Sequence, residues 1–320
     1  MPDDAARDLA DRLIRSRRPD GVRTALLHAG RDGAKVLMHQ DVRSGARLVD
    51  KRIGRLAAAR HASGEAFFHR HVAGHLSDGL LSPYVHCVQD NVWGARLLLD
   101  YIDRSHWNLF RQAGELAAAV ATAEAEMSAR LAELQPRHAA RLALMSPLRR
   151  PARTRPRGGW PKRLGFVARL AAEHGLTGPD ARRRWTIGLS RLERGLVDLP
   201  MTFANCDLIK PNLRFTGNRF VALDWGAAAV MPRGHDIGVL LAALLRYDDR
   251  FVFRHCEARA REAAALSGDR EAAARYGFLI HALDHLAGPL FAEGIANPAR
   301  RDLALDKLGI VVARLDAVGD

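Results

Sequence analysis

The pattern of apolar and polar positions divides the chain into a strand-rich first part and a helix-rich second part. Short runs of β-branched and aliphatic residues, separated by Gly, Asp and Asn, are typical of strands joined by tight turns. Such runs predict strands at residues 22–28, 35–40, 47–53, 85–88 and 92–99, the last two joined at residues 90–91. Apolar residues at helical spacing predict one helix within residues 1–20 and another that begins at Ser63.

Beyond residue 112 the spacing of the apolar residues is mostly helical. It predicts helices at residues 112–134, 163–174 and 179–195, an apolar helix that ends at Leu245, and about three amphipathic helices after it. Strands followed by helices, without regular alternation, favour an α+β fold.

Residues 201–226 interrupt the helical part with a tight hairpin. Residues 213–215 and 219–223 read as short strands, and the turn between them contains Gly217 and Asn218, which tolerate left-handed dihedrals. Folding this hairpin should bring Asp224 beside the loop that carries Asp207 and Asn212. Two carboxylates and a carboxamide offer only hard oxygen ligands, which suit Mg²⁺ better than zinc.

This stretch resembles the active centre of the protein-kinase-like superfamily, most closely its aminoglycoside phosphotransferase and choline kinase branch. The resemblance implies that Asp207 is the catalytic base and that Asn212 and Asp224 hold magnesium. Trp225, directly after Asp224, is typical of the small-molecule branch. Asn205 departs from the pattern, because the family usually has a His there that supports the loop.

The resemblance also implies a nucleotide site in the first part of the chain. The residues that it assigns to ATP are Gly30, Gly33, Lys51, Glu65, Tyr101 and Ile102. The glycines would lie over the phosphates, and Lys51 would bind phosphate and pair with Glu65. Residues 98–103, which include Tyr101 and Ile102, would form the hinge that reads adenine, although such a run could also be only the end of a buried strand. From the residues alone, the glycine turn could be a plain hairpin turn, and Lys51 could be a solvated strand residue or be confused with Arg52.

The fold that the resemblance implies is two-lobed. A small β-rich, nucleotide-binding N-lobe would cover residues 1–102, and a larger, mostly helical C-lobe with the catalytic and acceptor-binding residues would cover 103–320. Asp236 would brace the catalytic loop. Its position before an apolar helix also allows an N-cap role.

The chain is strongly basic. The formal net charge is +13 and the pI is about 10.6, so the surface should attract phosphates, nucleic acid or acidic lipid, unless the arginines only reflect a high-GC genome. Residues 136–163 form a basic insert with nine Arg or Lys, five Pro and no acidic residue. We expect this insert to be a mobile loop, or a cover that orders on an anionic partner, rather than a continuous helix.

Composition also bears on the compartment. Three well-separated cysteines without metal-ligand spacing are typical of reduced thiols in a cytoplasmic protein. No apolar run approaches the ~20 residues that span a bilayer, and the acidic N-terminus is unlike a signal peptide.

Together with these patterns, the resemblance implies an ATP- and Mg²⁺-dependent phosphotransferase that acts on a hydroxyl of a small molecule. The basic insert favours a neutral or anionic acceptor over a cationic one. Two alternatives stay open at this point. One is a kinase of an acidic sugar, a lipopolysaccharide sugar or a lipid headgroup, and the other is a pseudokinase or binding protein that acts through its insert, including contact with acidic lipid or nucleic acid.

Overall fold

The computed structural model describes nine segments of the chain. They are residues 3–16, 19–29, 35–54, 63–77, 79–91, 94–103, 106–149, 160–286 and 291–320. The turn predicted to cover the ATP phosphates, with Gly30 and Gly33, lies outside the described residues, as do residues 150–159 of the basic insert.

The chain folds into two compact units. The first comprises Met1–His106 and Asn212–Ala228, and the second comprises Trp107–Pro211 and Ala229–Asp320. The sequence predicted an N-lobe at residues 1–102. The first unit covers this range and also contains the later hairpin, which the sequence had placed in the C-lobe. The expected assignment of activities to the two lobes stays a prediction.

The first unit is built on a five-stranded antiparallel sheet with the order β1-β2-β3-β5-β4. Its strands are β1 (Val22–Ala29), β2 (Lys35–Asp41), β3 (Arg47–Gly54), β4 (Val85–Asn91) and β5 (Gly94–Asp100). The helices predicted in this part are α1 (Asp4–Arg15) and α2 (Ser63–His71). β4 continues through Asn91, which pairs with Gly94, so residues 90–91 belong to the strand and the prediction of a turn at these two residues is wrong.

The two faces of this sheet are covered by different helices, because successive strand residues point to opposite sides. On one face, Ile53 and Leu97 pack against Ala66 of α2. On the other face, Leu48 and Leu98 pack against the apolar stripe of α1, which includes Leu9 and Leu13. Odd-numbered positions of β3 therefore face α2, and even-numbered positions face α1.

The predicted hairpin forms and packs on the first unit. Its strands are β7 (Leu213–Thr216) and β8 (Arg219–Ala222), and Gly217 in the turn has φ +63°. Leu81 donates its backbone N–H to the carbonyl of Phe220 at 2.9 Å, and its own carbonyl accepts from Ala222 at 2.9 Å. These bonds explain why the hairpin belongs to the first unit, although the residues directly before it in the chain belong to the second unit.

The second unit is mostly helical. Its helices are α3 (Ala113–Leu144), α4 (Trp160–Glu173), α5 (Ala181–Gly195), α6 (His235–Tyr247), α7 (Phe253–Ala263), α8 (Gly268–His285), α9 (Glu293–Ala296) and α10 (Arg301–Gly319). Strands β6 (Met201–Ala204) and β9 (Ala229–Pro232) pair antiparallel. No helix within the described residues combines the length and apolar character that a membrane span requires.

The basic insert corrects the sequence prediction at both of its ends. Helix α3 continues through Pro136 to Leu144, with non-helical dihedrals at His138, and α4 begins at Trp160. A proline removes one helical hydrogen bond and commonly kinks a helix, and the non-helical dihedrals at His138 mark a kink that joins two helical segments. Leu142, beyond the bend, is buried, so the apolar stripe of α3 carries the helix past Pro136.

Helix α6 is the buried centre of the second unit, because every residue from His235 to Leu245 is buried. Two glycines permit its contact with α8. A Cβ on Gly238 would come within 2.0 Å of the Ala274 carbonyl, and a Cβ on Gly277 within 2.3 Å of the His235 carbonyl. Gly234, with φ +101°, is the N-cap of α6, so the N-cap role considered for Asp236 is wrong.

Candidate active site

The first unit brings three of the predicted residues into one charged cluster. The Lys51 ammonium lies 2.7 Å from one Glu65 carboxylate oxygen and 2.9 Å from the other. It also donates a 2.7 Å hydrogen bond to Asp224 Oδ1. Glu65 is fully buried, whereas 46% of the Asp224 side chain is exposed. The ammonium therefore joins a buried carboxylate to one that is open to a ligand.

Each of these side chains is placed by local structure that the sequence encodes. Lys51 is an odd-numbered residue of β3, so it points to the face covered by α2, where Glu65 lies in the first turn. Asp224 follows β8 directly. Arg52, the even-numbered neighbour, instead donates to Asp50 at 2.7 Å on the α1 face. Of these two residues, Lys51 therefore contacts Glu65 and Arg52 does not, whereas phosphate binding by Lys51 stays a prediction.

The electrostatics of the cluster support ionised Lys51 and Asp224. Burial alone would lower the pKa of Lys51, but the carboxylates of Glu65 and Asp224 outweigh it and raise the pKa above its usual range. Burial alone would raise the pKa of Asp224, but Lys51 and the N–H of Gly226 produce a net lowering. Burial raises the pKa of Glu65, and Lys51 offsets this only in part.

The turn that carries Asp224 is held from both sides. The indole ring of Trp225 stacks on Phe68 of α2 with ring centroids 3.7 Å apart, and both side chains are fully buried. The N–H of Gly226 donates to Asp224 Oδ1 at 2.8 Å. A Cβ at Gly226 would lie 3.0 Å from that same oxygen, so a glycine keeps this turn tight.

Asn212 is tied to the same turn through its backbone. Its carbonyl accepts a 2.8 Å hydrogen bond from the N–H of Leu223, the residue before Asp224. The hairpin therefore returns the chain to Asn212, as the sequence predicted. Whether the carboxamide of Asn212 holds a metal stays a prediction.

His69 is a member of this cluster that the sequence reading missed. It is buried one helical turn after Glu65, with its Nε2 atom 3.9 Å from Glu65 Oε1. Burial, together with the charge of Lys51, lowers the pKa of His69 to about 3. The i,i+4 spacing from Glu65 was the available signal, and a neutral ring at this position leaves Lys51 as the cation of the cluster.

At the predicted hinge, Tyr101 contacts another residue of the first unit. The backbone N–H of Tyr101 donates to the Arg47 carbonyl at 3.3 Å, and the Arg47 guanidinium lies 4.6 Å from the centre of the Tyr101 ring. Ile102 follows, partly buried. Adenine recognition by Tyr101 and Ile102 stays a prediction, and the Tyr101 amide already has a partner.

Asp207 lies in the second unit, on a loop that Asp236 braces. The carboxylate of Asp236 accepts the N–H of Asn205 at 2.6 Å and that of Cys206 at 2.9 Å. Asn205 is itself buried, and its side-chain oxygen accepts the N–H of Asp207 at 3.0 Å. Asn205 thus supports the loop, as the usual His was expected to do.

Glu124 of α3 is a second residue that the sequence reading missed. It is fully buried, and its two carboxylate oxygens accept the N–H of Gly234 at 2.9 Å and that of Asp236 at 3.3 Å. Burial and the neighbouring Asp236 raise the pKa of Glu124 to about 8. Glu124 therefore fixes the start of α6, and α6 fixes the loop before Asp207. In the sequence, the signal for this role of Glu124 was its position among the apolar residues of an Ala-rich helix.

The two units and their connectivity define a protein-kinase-like fold, as the resemblance implied. The chain is similar over 98% of its length, at 13% identity and a TM-score of 0.52, to 98% of an aminoglycoside phosphotransferase, APH(2'')-Ib, solved with ADP. It is also similar over 92% of its length, at 13% identity and a TM-score of 0.50, to 83% of an ethanolamine kinase from Plasmodium vivax. No protein-family model and no curated protein matches the sequence.

Proposed function

We propose that the protein is a phosphotransferase that moves the γ-phosphate of Mg-ATP to a hydroxyl group of a small molecule. The observation that carries this proposal is the contact of Lys51 with both Glu65 and Asp224. A phosphate-binding lysine positioned by a buried carboxylate, next to a metal-binding carboxylate, is what phosphoryl transfer requires in protein kinases. The fold shared with small-molecule kinases agrees with this reading.

The donor set fits magnesium. Asp224 offers a carboxylate that is half-exposed, and Asn212 offers a carboxamide on the segment bonded to the same turn. Mg²⁺ prefers such hard oxygen ligands and takes them together with phosphate oxygens. The charge of Lys51 beside Asp224 also complements a polyphosphate.

In this reaction, each residue of the site would have a separate role. When bound, Mg-ATP supplies the phosphoryl group and the metal charge that neutralises it. Glu65 orients Lys51, and Lys51 binds phosphate oxygens. Asp207 orients the acceptor hydroxyl and takes its proton as the oxygen bonds to phosphorus and the nucleoside diphosphate leaves.

The experiment is a transfer assay with Mg-ATP and a panel of aminoglycosides, amino alcohols, sugars and acidic sugars. We expect a phosphorylated product from the wild type, and Asp207→Asn should lower turnover by about 10²–10⁴-fold, the usual contribution of a general base. The ATP affinity should stay unchanged, because Asp207 contacts the acceptor. Asp198→Asn, at an exposed position of the same unit, is the matched control.

Two outcomes would contradict the proposal. Loss of ATP binding in Asp207→Asn would mean that Asp207 binds the metal or maintains the fold. Nucleotide binding without any product across the panel would favour a pseudokinase that acts as a binding protein.

A further inference from the structure

The Asp207 carboxylate and two imidazoles form a cluster in the second unit. His281 and His285 lie four residues apart on α8 and therefore share one helix face, with ring centroids 4.2 Å apart. One ligand atom from each of Asp207, His281 and His285 lies within 4.8 Å of the other two. His281 is buried, and the other two side chains are partly buried. The phosphotransferase role proposed above does not use these histidines.

The geometry is close to that of a metal site. Zinc binds imidazole nitrogen at about 2.0–2.1 Å and carboxylate oxygen at about 2.0–2.2 Å, so the three ligand atoms, which lie within 4.8 Å of one another, would have to move closer together to share one ion. Two histidines at i and i+4 on a helix are a known chelating pair. Three protein ligands leave the fourth position of a tetrahedral zinc to water.

The donor types also select the metal. Two nitrogens and one oxygen suit Zn²⁺, Co²⁺ or Ni²⁺, whereas Mg²⁺ prefers oxygen ligands alone. This group is therefore distinct in chemistry from the Asn212 and Asp224 pair, which offers only oxygens.

The described residues contain a second group of possible metal ligands, which consists of Cys206, His235 and Asp236. Asp236 already accepts two backbone N–H groups with its two oxygens. The geometry and the existing bonds favour the Asp207 group.

We propose that Asp207, His281 and His285 form a binding site for a transition-metal ion of the zinc class. Because the ion would bind the Asp207 carboxylate, its presence would stop that group from accepting a proton. This regulatory consequence rests on the proposed function, whereas the binding site itself does not.

The test is a calorimetric titration of the full chain, without an affinity tag and without nucleotide, with zinc. We expect one high-affinity zinc ion per chain in the wild type, and no competition from millimolar Mg²⁺. His285→Gln and, independently, Asp207→Asn should each weaken the affinity by at least about tenfold, since loss of an outer-shell partner alone costs about 10–100-fold. His255→Gln, at an exposed position of α7, should bind zinc as the wild type does.

Cobalt distinguishes the two groups of ligands. Co²⁺ bound to Asp207, His281 and His285 should show visible bands without the charge-transfer band that a thiolate ligand produces. A thiolate band would assign the ion to Cys206 and overturn the proposal. No zinc binding by the wild type, or wild-type affinity in both His285→Gln and Asp207→Asn, would also overturn it.

Inhibition is measured separately, so that the two proposals can fail independently. Zinc should lower the rate of phosphoryl transfer in the wild type, and a higher zinc concentration should be needed for the same fractional loss in His285→Gln. If zinc binds as expected but no acceptor is phosphorylated, the metal site stands and the proposed function fails. If transfer occurs and zinc bound at this site leaves its rate unchanged, the regulatory consequence is wrong.

Discussion

At the scale of single residues, Lys51 and Arg52 offer a direct comparison. They are neighbours on β3 with the same charge, yet Lys51 contacts Glu65 and Asp224, and Arg52 contacts Asp50 on the other face of the sheet. The period-two geometry of a strand separates them. Their roles should therefore differ in every assay that involves the nucleotide.

We predict that Lys51→Met weakens Mg-ATP binding by about 10–100-fold, from the ~1.5–3 kcal/mol of a hydrogen bond to a charged group. Arg52→Met should leave the ATP affinity unchanged and affect only stability, because it removes one partner of Asp50. Calorimetric titration of both variants with Mg-ATP measures the difference. Equal losses of affinity, or a larger loss in Arg52→Met, would contradict the assignment of Lys51.

At the scale of elements, the start of α6 links a buried acid to the loop before Asp207. Glu124 accepts the N–H of Gly234 and that of Asp236, and Asp236 holds two amides of the loop. The charged groups that face Glu124 are Asp236 and, at 3.8 Å, Arg270. Burial and Asp236 outweigh Arg270, so the net shift in the pKa of Glu124 is upward.

This shift predicts a pH dependence with a definite sign. The pKa of Glu124 rises from 4.5 to about 8 on folding, so between these values the folded state binds a proton that the unfolded state has lost. The contribution of Glu124 is fully present below pH ~4.5 and is lost as the pH rises through ~8, with a slope of up to about 1.4 kcal/mol per pH unit.

Urea unfolding of the wild type and Glu124→Gln from pH 5 to 8 checks this prediction. Because glutamine does not titrate, the wild-type free energy of unfolding should fall relative to that of the variant as the pH rises. Glu115→Gln, on an exposed face of the same helix, should track the wild type. A difference that is constant or grows with pH would show that Glu124 is ionised in the folded protein.

The elements also show what the sequence could and could not predict. The hairpin from residue 213 to 222 follows from a local signal, the Gly-Asn turn, and the structure confirms it. The pairing of Lys51 with Glu65 was implied only by the family resemblance, because the residues alone did not distinguish Lys51 from Arg52. The continuation of α3 past Pro136 depends on the packing of Leu142, which no local pattern reveals. The roles of Glu124 and His69 depend on partners distant in sequence or on burial, so they were missed.

At the scale of the whole molecule, charge is the property that bears on the acceptor. The chain has a formal net charge of +13, and nine of its cationic residues lie within residues 136–163 without an acidic residue. A neutral or anionic acceptor would gain from this charge, and a cationic one would be repelled. The identity of the acceptor should therefore show in the salt dependence of its KM.

We predict that an anionic acceptor loses affinity when the insert loses charge. The variant replaces by Gln Arg149, Arg150, Arg153, Arg155 and Arg157. Its KM for the acceptor should rise at low salt and should depend less on salt than that of the wild type. The control removes the same charge at exposed positions outside the insert, by Gln at Arg183, Arg191, Arg194, Arg254 and Arg301. Equal KM values and equal salt dependence in wild type and variant would reject the charge argument.

Thermal unfolding in the presence of ATP tests whether Asp224 holds magnesium for a bound nucleotide, as we propose. A ligand at about 100 times its Kd stabilises the folded state by about 2.7 kcal/mol, which raises Tm by a few degrees. We measure the rise that Mg²⁺ adds to ATP in the wild type, in Asp224→Asn, which keeps the acceptor for Gly226, and in Asp20→Ala, an exposed control. We predict that the magnesium-dependent rise in Tm is present in the wild type and in the control, and is lost in Asp224→Asn. An equal rise in all three proteins would contradict it.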